Sequence, residues 1–291
     1  MDPGPLRDAL TVAVGVATGT MSGLFGIGGA VISTPGIRAL GASAQTAIGT
    51  TLPSIIPGAA SGTLRYAREG LVDGQAVRAT TPGGIVAAVA GALLTEVIPG
   101  EGDALMLTTA ALLAVSGARM IRNAGETAQA LTAISAETAA GPTVPRPKTD
   151  RLPGDIVVTV SDRPHGRPTT IRLAAVGTLA GLLSGLLGIG GGTVMVPGFT
   201  QIAGLSLKRA IATSLACVGI FAVPGTITHA VLGNIDWRFA LWLTVGMIPG
   251  ARLGAALTIR AEDRRLHMLV GAFLGATAIA YAAGEIAALG S

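Results

Sequence analysis

The sequence contains little charge, few aromatic residues and a single cysteine. Of its 291 residues only 12% are charged and 3% are aromatic, and Cys217 is the one thiol. One thiol excludes a disulfide framework and a cysteine metal cluster, and the three histidines are too far apart in sequence to share a metal-ligand spacing. The formal net charge is a modest +4. The sequence therefore predicts no metal, no cofactor and no nucleic-acid partner.

Hydrophobic residues and glycine are abundant instead. Half of the residues are hydrophobic, 43 are glycine, and the mean hydropathy is +0.64. About 20 helical residues cross the hydrocarbon core of a bilayer. Eight apolar segments approach or reach that length: Ala9–Phe25, Thr46–Leu64, Ala76–Val97, Ala104–Ile121, Leu173–Leu187, Ala210–Leu232, Phe239–Ile259 and Leu266–Leu289. This pattern predicts an all-α, polytopic protein of the inner (plasma) membrane, with the lipid bilayer as a partner.

The chain is internally duplicated. Residues Ser22–Gly36 read S-G-L-F-G-I-G-G-A-V-I-S-T-P-G, and Ser184–Gly198 read S-G-L-L-G-I-G-G-G-T-V-M-V-P-G, an offset of 162 residues. The similarity continues downstream at an offset of 163, for example in the two Gly-x-x-Asp turns at Gly70 and Gly233. We therefore divide the chain into a first transmembrane repeat (1–122), a polar linker (123–170) and a second transmembrane repeat (171–291).

The distribution of arginine and lysine indicates opposite orientations for the two repeats. The proline-rich linker is basic, which places it in the cytoplasm by the positive-inside rule. The loop Pro99–Asp103 carries only acidic charge and is expected outside, whereas its counterpart Arg260–Arg265 carries three arginines and is expected inside. The sequence thus predicts two inverted repeats, each with a broken glycine-rich hairpin and about three further spans.

The glycine clusters of the duplicated motif predict two breaks in helical structure. Each is followed by a short apolar segment, which we expect to be a helix that ends near Pro35 or Pro197. Unwound backbone at membrane depth is tolerated only inside protein or along a cavity. Free N–H groups and helix N-termini from both repeats would then form an anion site without formal charge, built from Gly28, Gly29, Gly190, Gly191 and Gly192. The alternative is that glycines only allow close helix packing, as we expect for Gly19, Gly23, Gly181 and Gly185.

Other residues are weaker candidates for substrate binding. Hydroxyl groups at matched positions could donate to an oxyanion or bond to their own helix: Thr50, Thr51, Thr213 and Ser214. Arg252 lies inside an apolar span, where it either faces the cavity and holds the anion or pairs with backbone carbonyls. His229 either relays a proton or lies at the membrane interface without a function. Cys217 is expected to pack in the core.

These motifs resemble the TauE/SafE family of membrane permeases, the sulfite exporter or four-toluene-sulfonate-uptake group. The resemblance covers both halves: the doubled glycine motif with its Pro-Gly, the A-I-x-T-[TS]-L segment, the Gly-x-x-Asp turn and Gly250–Gly254. It implies transport of small sulfur-containing anions such as sulfite, sulfoacetate, other sulfonates or thiosulfate. The halves differ where Val89 stands opposite Arg252 and where Ala30 stands opposite Gly192, so we expect unequal contributions to the site.

The combined interpretation is a secondary transporter that exports a small anion by alternating access of the two repeats. An enzyme is not expected, because the spans offer no convincing pair of nucleophile and base. A passive anion channel remains an alternative, as does an uptake permease for thiosulfate or organic anions. Whether the chain forms a homodimer is left open.

Overall fold

The computed structural model describes residues 4–95 and 167–262 apart from Ile189, with some positions between 266 and 279. The predicted span Ala104–Ile121, most of the span Leu266–Leu289 and nearly all of the linker lie outside the described residues. Eight α-helices have defined bounds: α1 Pro5–Phe25, α2 Ala30–Ala39, α3 Ala44–Arg68, α4 Gly74–Leu94, α5 Arg167–Leu187, α6 Gly192–Gln201, α7 Leu207–Val231 and α8 Trp237–Arg260. The described part of the chain contains no strand.

Five of these helices are long and apolar enough to cross a membrane: α1, α4, α5 from Thr170, α7 and α8. The protein is therefore a multi-pass membrane protein. The predicted span Thr46–Leu64 lies in α3, which has 25 residues but is not among the five. Polar residues are tolerated in α3 because it packs between α7 and α8, where protein rather than lipid surrounds it. Its inward side chains, such as Leu52 and Ile55, are fully buried.

Each glycine motif forms a hairpin in which a short helix returns along a long one. A methyl group placed on Gly36 of α2 would lie 2.7 Å from Val14 Cγ1 of α1, and one on Gly198 of α6 would lie 2.7 Å from Val176 Cγ1 of α5. The expectation that these short helices end near their prolines is wrong. Pro35 lies inside α2 and Pro197 inside α6.

The residues that follow each proline explain why the short helices continue. Ile37 and Phe199 come two residues after Pro35 and Pro197, and both are fully buried in the core. A proline inside a helix removes one backbone hydrogen bond, and burial of a large side chain contributes a similar free energy of about 1.5–3 kcal/mol. Core packing therefore retains the last turn of α2 and of α6.

Glycines join long helices from different halves of the sequence. Helix α1 contacts successive turns of α8, both read from N- to C-terminus, through Gly15, Gly19 and Gly23. Helix α5 contacts α4 in the same parallel way through Gly177, Gly181 and Gly185. A methyl group on Gly19 would lie 2.8 Å from Met247 Cα, and one on Gly181 would lie 2.6 Å from Gly84 Cα. Small residues thus allow the helix backbones to touch, as expected for Gly19, Gly23, Gly181 and Gly185.

The same contacts give the helix directions. Helices α1, α3 and α8 run one way, because Ser54 of α3 bonds Ala240 of α8 and Gly62 packs on Ala251 further along. Helices α4, α5 and α7 share one direction, since Asp73 meets Thr213 and Thr80 meets Cys217. This direction is opposite to that of α3, because Leu52 of α3 faces Gly225 of α7 and Ala59 faces the earlier Gly219. The duplication pairs α1 with α5, α3 with α7, and α4 with α8. The two helices of each pair therefore point in opposite directions. The topology of the whole chain stays a prediction, since two predicted spans lie outside the described residues.

Candidate functional site

The two breaks are segments of left-handed backbone that only glycine adopts easily. In the first break φ is +68° at Gly26, +94° at Gly28 and +78° at Gly29. The second break repeats this pattern, with +67° at Gly188, +82° at Gly190 and +70° at Gly191. Positive φ brings a Cβ atom too close to the backbone of the same chain, so any other residue is strained here. The duplicated glycines are therefore required by local geometry.

The two breaks meet inside the protein. A methyl group on Gly190 would lie 3.4 Å from Gly28 Cα, and one on Gly192 would lie 2.7 Å from Ile27 Cα. Gly192 is therefore glycine because the first break passes directly against it. Its counterpart Ala30 is fully buried. The structure thus brings together both glycine clusters that the sequence assigns to the site.

Each break ends at the N-terminus of a short helix that has no side-chain cap. Gly29 is the N-cap of α2 and Gly191 is the N-cap of α6, and neither provides a side chain to accept from the first turn. The first N–H groups of a helix have no acceptor within the helix, and they carry the positive end of its dipole. The meeting point of the breaks therefore presents two partially positive helix ends.

Buried hydroxyl groups near the breaks form a feature that the sequence interpretation missed. Among the described residues, five of these hydroxyls have no hydrogen-bond partner and are at most 1% exposed: Thr18, Ser22, Thr34, Ser184 and Thr193. A buried hydroxyl without a partner costs about 1–3 kcal/mol, so each one calls for an explanation. Ser22 and Ser184 are the first residues of the duplicated motif, which is the sequence signal that could have identified them.

The hydroxyls of Thr50 and Thr213 bind protein backbone at opposite ends of the bundle. Thr50 Oγ1 accepts a hydrogen bond from the backbone N–H of Asp236 at 2.9 Å. Thr213 Oγ1 accepts in the same way from Asp73 at 3.0 Å. Both aspartates cap the helix that follows them, α8 and α4. Each bond thus joins one half of the chain to the other at a matched turn.

The other two candidate hydroxyls also have protein partners. Ser214 Oγ donates to the carbonyl of Gly26 in the first break at 2.7 Å. Thr51 Oγ1 donates to the carbonyl of Ile48 in its own helix at 2.9 Å. All four predicted hydroxyl residues are fully buried. In this conformation they hold the scaffold around the breaks and bond within the protein.

Arg252 is exposed, and the expectation that it faces a central cavity is not supported. It continues a stripe of exposed apolar side chains on α8 that includes Leu241, Val245 and Ile248. A helix places residues four and seven positions apart on one face, so Arg252 lies on the side of α8 that faces away from the breaks. We therefore leave it out of the site.

Two further residues take structural positions. His229 is fully buried instead of lying at an interface, and its Nε2 donates to the carbonyl of Gly185 at 3.3 Å. The equivalent residue of the first half is Tyr66, whose hydroxyl donates to the carbonyl of Gly23. Cys217 is buried and its sulfur lies 3.3 Å from Thr80 Oγ1, which confirms its position in the core.

The site is polar without being charged. Among the residues that the structure describes, none of the buried side chains is Asp, Glu, Lys or Arg. Helix ends, hydroxyl groups and the buried His229 ring are therefore the electropositive groups that the described core offers to a bound anion.

A family model, Sulfite exporter TauE/SafE, matches residues 11–281. The chain belongs to the TauE/SafE family. It is 26% identical over 280 residues to a probable membrane transporter protein, YunE, of Bacillus subtilis, covering 90% of this chain and 92% of that protein. It is 28% identical over 278 residues to a probable membrane transporter protein of Xylella fastidiosa, with 93% of each chain covered.

A third relative shares only part of its length with this TauE/SafE protein. The probable membrane transporter protein MamO of Magnetospirillum gryphiswaldense is 31% identical over 265 residues, which is 84% of this chain and 39% of that protein. No solved structure gives a significant match. The three relatives are all named as membrane transporters, and this protein is a membrane transporter of the same family.

Proposed function

We propose that the protein is a secondary transporter of small sulfur-containing anions, such as sulfite, sulfoacetate or related sulfonates, and that it exports them. The meeting of the two glycine breaks carries this proposal, because it brings two uncapped helix N-termini into one buried region. Helix N-termini bind oxyanions through free N–H groups and the helix dipole. The family is named for sulfite export, which is the reason to choose sulfur oxyanions among the anions that fit.

The arrangement of helices supports alternating access. Equivalent helices of the two halves run in opposite directions, and the halves interlock through α1 with α8 and α4 with α5. In transporters with inverted repeats, one set of helices rocks against the other around a central site. The matched bonds of Thr50 and Thr213 would then close opposite ends of the site, and one of them would open at a time.

A binding screen tests the substrate class. The purified protein would be titrated with sulfite, sulfoacetate, taurine, thiosulfate and sulfate, and saturable binding of at least one sulfur oxyanion is expected. Uptake into liposomes with counterflow of unlabelled substrate distinguishes a carrier from a passive channel. A current that grows without saturation would replace the carrier with the channel, and uptake in the inward direction only would favour an uptake permease.

The role of the breaks is tested with two alanine substitutions at glycines of similar backbone conformation. Gly190 has φ +82° and Gly233 has φ +75°, so alanine is strained by about 1 kcal/mol at either position. A methyl group on Gly190 would also meet Val218 Cγ1 at 2.8 Å, whereas one on Gly233 has no neighbour within 4 Å. We expect Gly190→Ala to lose transport and Gly233→Ala to retain it. Normal transport by Gly190→Ala would contradict the proposed site.

A further inference from the structure

The side chains of Thr18 and Ser22, which carry two of the buried hydroxyls, pack against the N-cap of α2. A methyl group placed on Gly29 would lie 2.8 Å from Thr18 Cγ2 and 3.2 Å from Ser22 Cβ. Thr18 is fully buried and Ser22 is 1% exposed, and neither hydroxyl has a hydrogen-bond partner among the described residues. Two residues whose buried hydroxyls have no partner thus pack against the N-terminus of an uncapped helix, where the first N–H groups also lack acceptors within the helix.

The hydroxyls do not make the local bond that is usual for their residue types. Ser and Thr in a helix commonly donate to the carbonyl one turn earlier, as Thr11 does to Arg7 at 2.8 Å and Thr20 to Val16 at 2.8 Å on the same helix. Thr18 and Ser22 lie between and just beyond these residues but leave that bond unmade. Burial without a partner is costly, and the cost is recovered when a ligand accepts from both hydroxyls.

An apolar group completes the surroundings. The terminal methyl of Met247, Cε, would lie 3.1 Å from a methyl group on Gly29, and Met247 is fully buried. The side chains beside Gly29 thus combine two hydroxyl groups with a thioether methyl. That combination fits an oxyanion head group that carries a small apolar substituent, as in R–SO₃⁻.

The charge that the site can accept follows from what surrounds it. No Asp, Glu, Lys or Arg is buried in the described part of the chain, and a helix N-terminus supplies only about half an elementary charge. Burying an anion is unfavourable unless it is neutralised, and the penalty rises steeply with the charge on one head group. A head group with a single charge is therefore favoured over one with two.

We propose that Thr18 and Ser22, together with the N-terminus of α2, bind the head group of the substrate, and that this site selects a singly charged sulfonate or hydrogensulfite over a doubly charged oxyanion. The inference rests on the proposed function and assigns it residues and a charge preference. Methanesulfonate and sulfate are suitable probes, because they are both tetrahedral and similar in size but differ by one charge.

The test measures binding of both probes to the purified protein by calorimetry, and thermal unfolding of each variant without ligand. The wild type is expected to bind methanesulfonate at least about 10-fold more tightly than sulfate. Thr18→Val and Ser22→Ala are each expected to weaken methanesulfonate binding about 10-fold, the usual effect of losing one hydrogen bond to a charged group. Thr20→Val is the matched control on α1, and it should bind like the wild type.

Unfolding separates a binding role from a structural one. Removing a buried hydroxyl that has no partner relieves an unfavourable burial, so Thr18→Val and Ser22→Ala should melt at or above the wild-type temperature while they bind less. A double variant with wild-type affinity, or sulfate bound as tightly as methanesulfonate, would overturn this inference and leave the proposed transporter intact. A wild type that neither binds nor transports any of the sulfur oxyanions would overturn both.

Discussion

The glycine contact between α4 and α5 allows the effect of one substitution to be worked out from the geometry. A methyl group introduced by Gly181→Ala would overlap the carbonyl oxygen of Gly84 and lie 2.6 Å from its Cα and 2.7 Å from its carbonyl carbon. Contacts of a Cβ atom below 3.0 Å essentially do not occur. Because all three atoms belong to the backbone of α4, no side-chain rotation relieves the overlap and the two helices must separate.

Separation of the helices should destabilise the protein measurably. Overpacking of a tight interface costs about 1–3 kcal/mol of stability. We expect a value at the upper end of this range here, because neither backbone can move aside by rotating a side chain. Alanine recovers about 1 kcal/mol, because it favours helix over glycine. The expected net loss of stability for Gly181→Ala is therefore about 2 kcal/mol.

Thermal unfolding of the purified protein in detergent measures this loss. The control is Gly74→Ala, since Gly74 is the first residue of α4 and a methyl group there has no neighbour within 4 Å. We expect the midpoint to fall by several degrees for Gly181→Ala and to stay unchanged or rise slightly for Gly74→Ala. An unchanged midpoint for Gly181→Ala would refute the backbone contact between α4 and α5.

Three further predictions concern hydrogen bonds, topology and the exposed arginine. Ser214→Ala should cost about 1–3 kcal/mol of stability, because it leaves a buried carbonyl of the first break without its donor. Thr51→Val should cost less than about 1 kcal/mol, since that hydroxyl bonds a carbonyl of its own helix. Equal unfolding midpoints for the two variants would contradict this prediction. Single cysteines placed in Pro99–Asp103 and in Arg260–Arg265, in a background without the native cysteine, should be labelled from opposite sides of the membrane, and labelling from one side would end the inverted-repeat model. Arg252→Ala should bind substrate like the wild type in a calorimetric titration, and a large loss of affinity would return this residue to the site.

The sequence predicted the helical segments well where both contact with lipid and packing in the core require apolar residues. Apolar runs located α1, α4, α5, α7 and α8, and the glycine motif located both breaks. The same reasoning ended α2 and α6 too early, because a proline is a local signal while burial of Ile37 and Phe199 is a tertiary one. It also treated α3 like the other spans, although α3 is surrounded by protein and needs less apolar surface.

The site was predicted only in part. Positive φ is adopted easily only by glycine, so clustered glycines indicate the breaks in the sequence. The sequence does not distinguish the hydroxyl residues in this way. Thr50 has a backbone partner, whereas Thr18 has none among the described residues. Whether a hydroxyl is satisfied depends on which helix packs against it.

By itself, the sequence determined that this is a membrane protein of two repeats with a glycine break in each, because hydropathy, duplication and backbone stereochemistry are properties of the chain alone. Only the tertiary structure decided that the breaks approach each other at Gly28 and Gly190, that the main partner of α1 is α8 of the other repeat, and that Arg252 is exposed. These outcomes depend on which helix faces meet, and that is set by close packing between segments more than 100 residues apart in sequence, such as Gly19 with Met247.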